Sequence, residues 1–452
     1  MPVSTDSVVS HVVAALTVVI AASHAAGALA RRLGQPPVIG QLFAGIALGP
    51  SLLGLLPGGV YEKLFPDQIQ PVLTSLAQVA LVFFLFAVGY ELDLGLLRHQ
   101  KAVTAVSVTG FVLPMLLGAG IVLALPDAFA EVNDGRPVDT TFVLYMAVAL
   151  SITAVPVLAS IIKDQGIART GPGTIAMAAA GVIDALSWPV LAVVLVGGAH
   201  GSARAWVVET ALLAGYVLVM LFAVRPLLAR WFRRSGGPAA RVPLAVTFAL
   251  ASAWVTHELG LHVIFGALLA GIVMPRLPDG SPDARILGPL QDIGGLLLPM
   301  FFAISGTAVV LGGLRASDLL ILAVICAAAV AGKVGAGTVS ARGARGARGA
   351  RGARRSWRDA LLIGVLLNTR GLTELVVLNV GLQAGVIGPR LYALLVVMAL
   401  LTTAATGPLI RLLHRPDETP PRPPVERKVP DVRSGAGSAP PVAADAEAAP
   451  SP

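Results

Sequence analysis

The sequence predicts an all-α, polytopic membrane protein, and three observations lead to that fold class. Of its 452 residues, 56% are hydrophobic and 13% are charged, which is about half the charged fraction of an ordinary soluble domain. The apolar residues form about thirteen runs of roughly 18–25 residues, the length that a tilted helix needs to cross a bilayer. Basic residues are concentrated in every second loop, as in the cytosolic loops of membrane proteins.

Each predicted span has an apolar centre. The centres lie near Val18, Phe43, Leu81, Leu113, Leu150, Asp184, Gly215, Leu250, Ala267, Leu298, Ala328, Arg370 and Val397. The first span follows Ser4-Thr5-Asp6-Ser7 and carries no basic residue at its start. It therefore lacks the charged beginning of a cleaved signal peptide, and we expect a retained helix with its N-terminus outside.

The charges of the loops agree with this orientation. The basic residues left in outer loops are only Lys63, Arg136, Arg204, Arg315 and Arg390. We therefore expect a multi-pass protein of the cell membrane whose N-terminus is outside and whose C-terminus is cytoplasmic. The formal net charge of +8 is explained by this asymmetry, so no nucleic-acid partner is expected.

The composition changes after residue 413, and this change sets the predicted domain boundary. Residues 8–413 are expected to form one transmembrane domain. Residues 414–452 are rich in Pro, Ala and acidic residues, cannot bury a core, and are expected to form a disordered cytoplasmic tail without a nucleotide-binding regulatory domain. The Gly-Ala-Arg repeat at 341–355 is expected to form a solvated inner loop. A single cysteine, Cys326, excludes a disulfide framework or cysteine metal site, and no cofactor is expected.

The most informative residue is Asp184, near the middle of the apolar run 173–196. A carboxylate at the bilayer midplane costs several kcal/mol unless it faces a protein interior or a watery cavity, so it is a functional candidate. Such a group holds either a proton or a cation. The alternative is a structural aspartate that a neighbouring hydroxyl satisfies.

Two other spans carry helix-breaking or polar residues at the same depth. Pro156 in the fifth span removes a backbone hydrogen bond and frees a carbonyl near residues 151–153. The twelfth span has Asn368, Arg370, Gly371 and Glu374 at its centre. Because these spans are seven apart, they cross the membrane in opposite directions, as an inverted repeat with two broken helices requires.

The charges in these spans need partners. Arg370 and Glu374 could offset the dipoles of two crossing broken helices, but their i,i+4 spacing also allows them simply to neutralise each other. Lys333, near the middle of the eleventh span, must pair or lose its proton. Its predicted partner is Asp184.

Four motifs in order give the chain a family resemblance. They are PPVIGQLFAGIALGP (36–50), FLFAVGYELD (84–93), FGALLAGIVMPR (265–276) and NTRGLTELVVLN (368–379). In these the chain resembles the second cation:proton antiporter family, and in particular its Kef-type and plant cation/proton exchanger-like members. The resemblance implies a thirteen-helix, sodium/proton antiporter-like fold, a homodimer and an elevator mechanism.

The resemblance also implies a division of the membrane domain. Helices at about 8–90 and 241–312 would form the dimer domain, those at about 101–197 and 318–413 the moving core domain, and about 205–232 the linker helix. It further implies that Asp184, Thr153 and Ser151 bind the cation and proton. Lys333, Glu374, Arg370 and Asn368 would support the core, and Pro156 and Gly371 would break the helices.

The family places two acidic residues, or Asn-Asp, on the sixth helix, where this chain has Ile183-Asp184. A single carboxylate favours electroneutral exchange of one proton for one cation. The resulting prediction is a transporter, not an enzyme, that exchanges Na⁺ or K⁺ for H⁺. The alternatives are a proton-coupled exporter of an organic compound and a cation channel.

Overall fold

A computed structural model of the chain describes residues 5–92, 101–168, 170–198, 203–235, 238–260, 262–343 and 356–413. The chain divides into two units, Met1–His414 and Arg415–Pro452, and the first contains all of the described residues. The predicted tail and most of the Gly-Ala-Arg repeat lie outside the described residues.

All regular structure in the described residues is helical, which confirms the predicted all-α class. The first half contains α1 (Thr5–Arg32), α2 (Pro37–Leu48), α3 (Val60–Leu64), α4 (Gln70–Glu91), α5 (Lys101–Ala124), α6 (Pro126–Val132), α7 (Thr140–Ser151), α8 (Val155–Asp164) and α9 (Gly171–Gly198). The second half contains α10 (Ala203–Val219), α11 (Arg225–Ser235), α12 (Pro238–Glu258), α13 (Val263–Val273), α14 (Ala284–Thr307), α15 (Ala316–Gly343), α16 (Trp357–Leu367), α17 (Leu372–Gln383) and α18 (Pro389–Leu413).

The chain is a multi-pass membrane protein. Within the described residues, 11 helical segments are long and apolar enough to cross a bilayer, and each of the two broken helices counts as one segment. The two further predicted spans, centred near Leu250 and Ala267, correspond to α12, with 21 residues, and to the short apolar helix α13, with 11 residues. The count of thirteen therefore stays a prediction.

The helices pack in two groups. The first group consists of α1, α2, α4, α12, α13 and α14, and the second of α5, α7, α9, α15, α16 and α18. Between them in sequence, α10 continues through a π-helical segment, Met220–Val224, into α11. Helix α10 contacts α9, and the π-helical segment contacts α13, so this long element touches both groups.

Small residues let the helices of the first group approach closely. A Cβ atom at Gly271 of α13 would lie 2.1 Å from the carbonyl oxygen of Phe86 on α4. A Cβ atom at Gly306 of α14 would lie 2.5 Å from the backbone nitrogen of Ile46 on α2. Close backbone contact through small residues is a common way for membrane helices to pack, and here it makes the first group a tight bundle.

Candidate functional site

The two predicted breaks lie where the fifth and twelfth spans cross. Helix α7 ends at Ser151 and α8 begins at Val155. Pro156 is then in the first turn of α8, where its missing N–H group removes no helical hydrogen bond. Helix α16 ends at Leu367 and α17 begins at Leu372. The two unwound segments touch, because the Ala154 N–H group donates to the Thr369 carbonyl over 3.1 Å.

Gly371 is needed at this crossing for two reasons. Its backbone has φ 157° and ψ −123°, a conformation that residues with a side chain rarely adopt. A Cβ atom there would also lie 2.6 Å from Cγ2 of Val157 on α8. Glycine is the residue type that fits both this backbone conformation and the close contact with Val157, and it stands where the twelfth span breaks.

Arg370 places a positive charge at the end of a half-helix. Its guanidinium donates to the carbonyl of Ala149 over 3.2 Å and to that of Leu150 over 2.8 Å, in the last turn of α7. It also pairs with Glu374 at 2.6 Å, and neither side chain has any solvent exposure. A cation is favourable at a helix C-terminus, so Arg370 stabilises the crossing while Glu374 balances its charge.

Lys333 also lies at the C-terminal end of α7. Its fully buried ammonium donates to the carbonyl of Ser151 and, over 2.7 Å, to the hydroxyl of Thr153. No ion pair joins Lys333 to Asp184 among the described residues. The predicted pairing is therefore wrong at the level of direct contact. The physical reason is that the last carbonyls of α7 lack helical partners and offer the ammonium uncharged acceptors.

The two predicted oxygen ligands of the first broken helix already have partners. The Thr153 hydroxyl accepts from Lys333 and donates over 2.9 Å to the carbonyl of Leu367, the last residue of α16. The Ser151 hydroxyl donates over 2.8 Å to the carbonyl oxygen of Val148 in the same helix. A hydroxyl has two lone pairs, so Thr153 keeps one for a further contact.

Asp184 lies in the interior of α9 beside the crossing. Its side chain is 3% exposed, and its Oδ1 atom makes no hydrogen bond within the described residues. Thr373 is a buried residue in the first turn of α17, a helix that contacts α9. Buried polar atoms are nearly always paired, so the unpaired oxygen makes Asp184 a candidate for binding a proton or a cation.

Asn368 and Thr369 add two more unpaired oxygens in the second break. The Asn368 side chain is 5% exposed and that of Thr369 is not exposed, yet Asn368 Oδ1 and Thr369 Oγ1 have no hydrogen-bond partner within the described residues. The sequence predicted a supporting role for Asn368, and the unpaired oxygen of Thr369 was not predicted.

The position beside Asp184 is apolar. Ile183 has no solvent exposure, and its Cδ1 atom lies against Gly110 of α5. The second carboxylate that the resembling family often carries is thus replaced by a packed aliphatic side chain. Asp184 is thus the one acid of this pair of positions on α9, and the Glu374 carboxylate of the second break is paired with Arg370.

A family model described as the transmembrane sodium/hydrogen exchanger matches residues 16–415. The chain belongs to this family. It is 36% identical to Cation/H(+) antiporter 19 of Arabidopsis thaliana over 399 residues, which cover 85% of this chain and 47% of the plant protein. The chain thus spans about half the length of that relative. These matches confirm the predicted resemblance to plant cation/proton exchangers.

Two other relatives are named as antiporters of different cations. The Na(+)/H(+) antiporter NhaS4 of Synechocystis is 35% identical over 416 residues, which cover 88% of this chain and 96% of that protein. K(+)/H(+) antiporter 1 of Saccharomyces cerevisiae is 30% identical over 396 residues, which cover 84% of this chain and 44% of that protein. These relatives are named as antiporters and not as enzymes, which is the predicted class.

The fold also matches a solved structure. The sodium proton antiporter MjNhaP1 from Methanocaldococcus jannaschii superimposes with a TM-score of 0.63 at 16% sequence identity, over 90% of this chain and all of that one. At this identity the match concerns the fold alone, and it confirms the predicted sodium/proton antiporter-like architecture.

Proposed function

We propose that this protein is a secondary active antiporter that exchanges Na⁺ or K⁺ for H⁺, with Asp184 holding the proton and the cation in turn. One observation carries the proposal: a buried carboxylate with an unpaired oxygen lies inside a membrane-spanning helix, next to two crossed broken helices. The relatives named as Na(+)/H(+) and K(+)/H(+) antiporters support it.

Coupling follows from competition for one group. At high pH the Asp184 carboxylate is free to bind a cation, and at low pH a proton takes its place. Because the same oxygens cannot hold both, the site returns across the membrane loaded with one or the other. Hard oxygen ligands suit alkali cations, and a carboxylate with neutral oxygens provides them.

The arrangement of Lys333 affects which oxygens the cation meets. With the ammonium on Ser151 and Thr153, these predicted ligands contribute fully only when Lys333 moves away. Lys333 and Arg370 both neutralise the end of α7, so they support the crossing without taking the Asp184 oxygen that has no partner.

An elevator mechanism agrees with the two packing groups. The first group falls within the predicted dimer domain, about 8–90 and 241–312, and the second within the predicted core, about 101–197 and 318–413. The element from α10 to α11 corresponds to the linker helix, about 205–232. We assign the second group to the moving body and the first to the interface of a homodimer in the cell membrane. The N-terminus is then outside and the C-terminus cytoplasmic.

Electroneutral exchange follows from the single carboxylate at positions 183 and 184 of α9, since Glu374 is paired with Arg370. With Ile183 in place of a second acid, each protomer carries one proton or one monovalent cation at Asp184. One charge crosses in each direction, so net charge movement is zero.

The first prediction tests the proposed site. Asp184→Asn removes the titratable charge at constant volume, so we expect it to abolish cation-dependent proton flux while the protein remains folded. Flux is measured in proteoliposomes with a pH-sensitive dye, under gradients of Na⁺ or K⁺ and with the membrane potential clamped. The matched control is Asp164→Asn, at the exposed C-terminus of α8, which should retain exchange.

Two results would contradict the proposal. Exchange that survives in Asp184→Asn would exclude Asp184 as the carrier. A cation flux that continues without a counter-flow of protons would favour the channel instead. A sustained transport current that Asp184→Asn removes would exclude electroneutral exchange but leave antiport in place.

A further inference from the structure

The unwound segment of the second broken helix, residues 368–371, needs partners for its backbone groups. In a continuous helix the Arg370 N–H group would donate to the carbonyl four residues earlier, but α16 ends at Leu367. Unpaired backbone groups at membrane depth are costly, so a break is tolerated only where other groups of the protein bind them. The groups that bind this segment therefore determine where it lies.

Thr403 of α18 binds both backbone groups of Arg370. Its hydroxyl accepts from the Arg370 N–H group over 2.9 Å and donates to the Arg370 carbonyl over 2.8 Å. A hydroxyl has one proton and two lone pairs, so one side chain replaces two backbone partners. Thr403 is 2% exposed, so water does not compete for these bonds.

This use of a threonine differs from that of its neighbours on α18. A threonine inside a helix commonly donates to a carbonyl one turn earlier in the same helix. The hydroxyls of Thr402 and Thr406 do so, over 2.8 Å to Met398 and over 3.0 Å to Thr402. The Thr403 hydroxyl instead donates to the break, although all three threonines lie in the same helix.

The α2 side of the break presents apolar side chains. A small gap beside Thr403 and Gly371 is lined from α2 by Val38, Ile39 and Leu42, whose side chains have no hydrogen-bonding atoms. They cannot replace the Thr403 hydroxyl. Helix α18 packs in the second group, so in the proposed elevator Thr403 moves together with the break that it holds.

The bonds from Thr403 also fix the position of a charge. With its backbone held by α18, Arg370 extends its guanidinium to the carbonyls of Ala149 and Leu150 at the end of α7. The same helix end binds Lys333 through the Ser151 carbonyl. A displacement of Arg370 would therefore disturb the arrangement of both cations at the crossing.

The break is in turn packed close to Asp184. A Cβ atom at Gly110 would lie 3.3 Å from Cδ1 of Ile183 and 3.5 Å from Cδ1 of Leu367. The residue before Asp184 and the last residue of α16 thus meet at the same point of α5. Both α16 and α17 contact α9, so a shift of the segment between them would change the surroundings of the carboxylate.

We propose that Thr403 is a positioning residue of the antiporter. Its hydroxyl holds the second break, and with it Arg370, in the arrangement in which Asp184 binds the cation. The proposal rests on the antiport proposed at Asp184 and adds to it a residue that acts through the break.

The second prediction compares Thr403→Val with Thr403→Ser. Valine keeps the shape but removes the hydroxyl, whereas serine keeps the hydroxyl. We expect Thr403→Val to raise the Na⁺ or K⁺ concentration for half-maximal exchange about fivefold or more, the effect of losing about 1 kcal/mol of binding. Thr403→Ser should stay within about twofold of the original protein, because its hydroxyl can make both bonds. The matched control is Thr402→Val, since the Thr402 hydroxyl bonds to carbonyls of its own helix.

Two further measurements do not depend on transport. A cation that binds the folded protein raises its thermal unfolding temperature, and titration with NaCl or KCl against choline chloride should show a weaker rise in Thr403→Val than in Thr403→Ser. Backbone hydrogen exchange reports local opening. By mass spectrometry, peptides that cover residues 366–374 should exchange faster in Thr403→Val than in Thr403→Ser or Thr402→Val.

A purely structural role of Thr403 would give a different result. Thr403→Val would then unfold at a lower temperature but keep its half-maximal cation concentration, and this outcome would overturn the proposal even if the maximal rate fell. Equal effects of valine and serine, or unchanged hydrogen exchange over 366–374, would also overturn it. If Thr403→Val does not fold, Thr403→Ala removes the same hydroxyl and is judged in the same way. In each of these cases exchange at Asp184 still stands, whereas retained exchange in Asp184→Asn would overturn the proposed function itself.

Discussion

Lys333 is the residue whose environment most changes the expected chemistry. Its ammonium is bound to uncharged acceptors of the first broken helix and not to a carboxylate. Burying an unpaired charge is costly, and here the dipole of α7 provides part of the compensation. Lys333 therefore acts first as a cap on a half-helix, and it forms no ion pair with Asp184 among the described residues.

The third prediction concerns Lys333→Met. The substitution leaves the Ser151 carbonyl and part of the Thr153 hydroxyl without a partner, a loss of about 1–3 kcal/mol for an unsatisfied buried group. We expect a lower thermal unfolding temperature but retained exchange, since the Asp184 carboxylate is intact. Lys163→Met, at the exposed end of α8, is the control for loss of a lysine. Complete loss of exchange in a folded Lys333→Met protein would show that the ammonium takes part in transport.

Some residues of the candidate site could be predicted from the sequence, and others could not. Asp184, Arg370 and Glu374 were predictable because a charge at the bilayer midplane requires an explanation wherever it lies in the fold. The partner of Lys333 was not predictable, because the choice between a carboxylate and helix-end carbonyls depends on distances between three helices.

At the level of elements, the crossing depends on one glycine. The sequence predicted breaks in the fifth and twelfth spans from Pro156 and Gly371, and α7, α8, α16 and α17 end and begin around them. The contact between the two breaks could not be read from either span alone. It requires Gly371 to pass Val157 without a side chain.

The fourth prediction tests this contact with Gly371→Ala. The new methyl group would lie 2.6 Å from Val157 Cγ2 at a backbone conformation that alanine rarely adopts, and strained backbone of this kind costs about 1–3 kcal/mol before any clash. We expect reduced thermal stability and reduced exchange. Adding Val157→Ala should recover part of the stability by removing the clash while the backbone strain remains.

The control for this substitution is Gly335→Ala, in α15. A Cβ atom at Gly335 meets nothing within 4 Å, and alanine is favoured over glycine inside a helix by about 1 kcal/mol. Gly335→Ala should therefore be neutral or stabilising. Equal effects of the alanine at 371 and at 335 would mean that the crossing does not need a glycine.

At the scale of the whole molecule, a few polar contacts in the described part of the chain join the first group of helices to the second, with which α17 is counted because it packs on α18 and α7. The amide of Gln78 on α4 donates to the side-chain oxygen of Gln383 on α17 over 3.4 Å, and the hydroxyl of Tyr392 on α18 donates to the Ser305 carbonyl on α14 over 3.0 Å. Single hydrogen bonds between neutral groups can exchange partners, which suits two bodies that slide past each other. The elevator proposal requires such contacts to break in every cycle.

The last prediction uses this requirement. The single native cysteine, Cys326, is replaced by alanine, and cysteines are placed at Gln78 and Gln383. If the second group moves against the first, a short bifunctional thiol reagent that joins these positions should stop exchange, and cleavage of a reducible reagent should restore it.

The matched control pair is Glu91 and Gln291, whose exposed side chains lie 2.8 Å apart on α4 and α14, within the first group. Cross-linking that pair should leave exchange intact, because both positions belong to one body. Full exchange in protein that is quantitatively cross-linked between 78 and 383 would exclude relative motion of the two groups at this contact. The cation and the proton would then have to reach Asp184 from both sides of the membrane without relative motion of the two groups of helices.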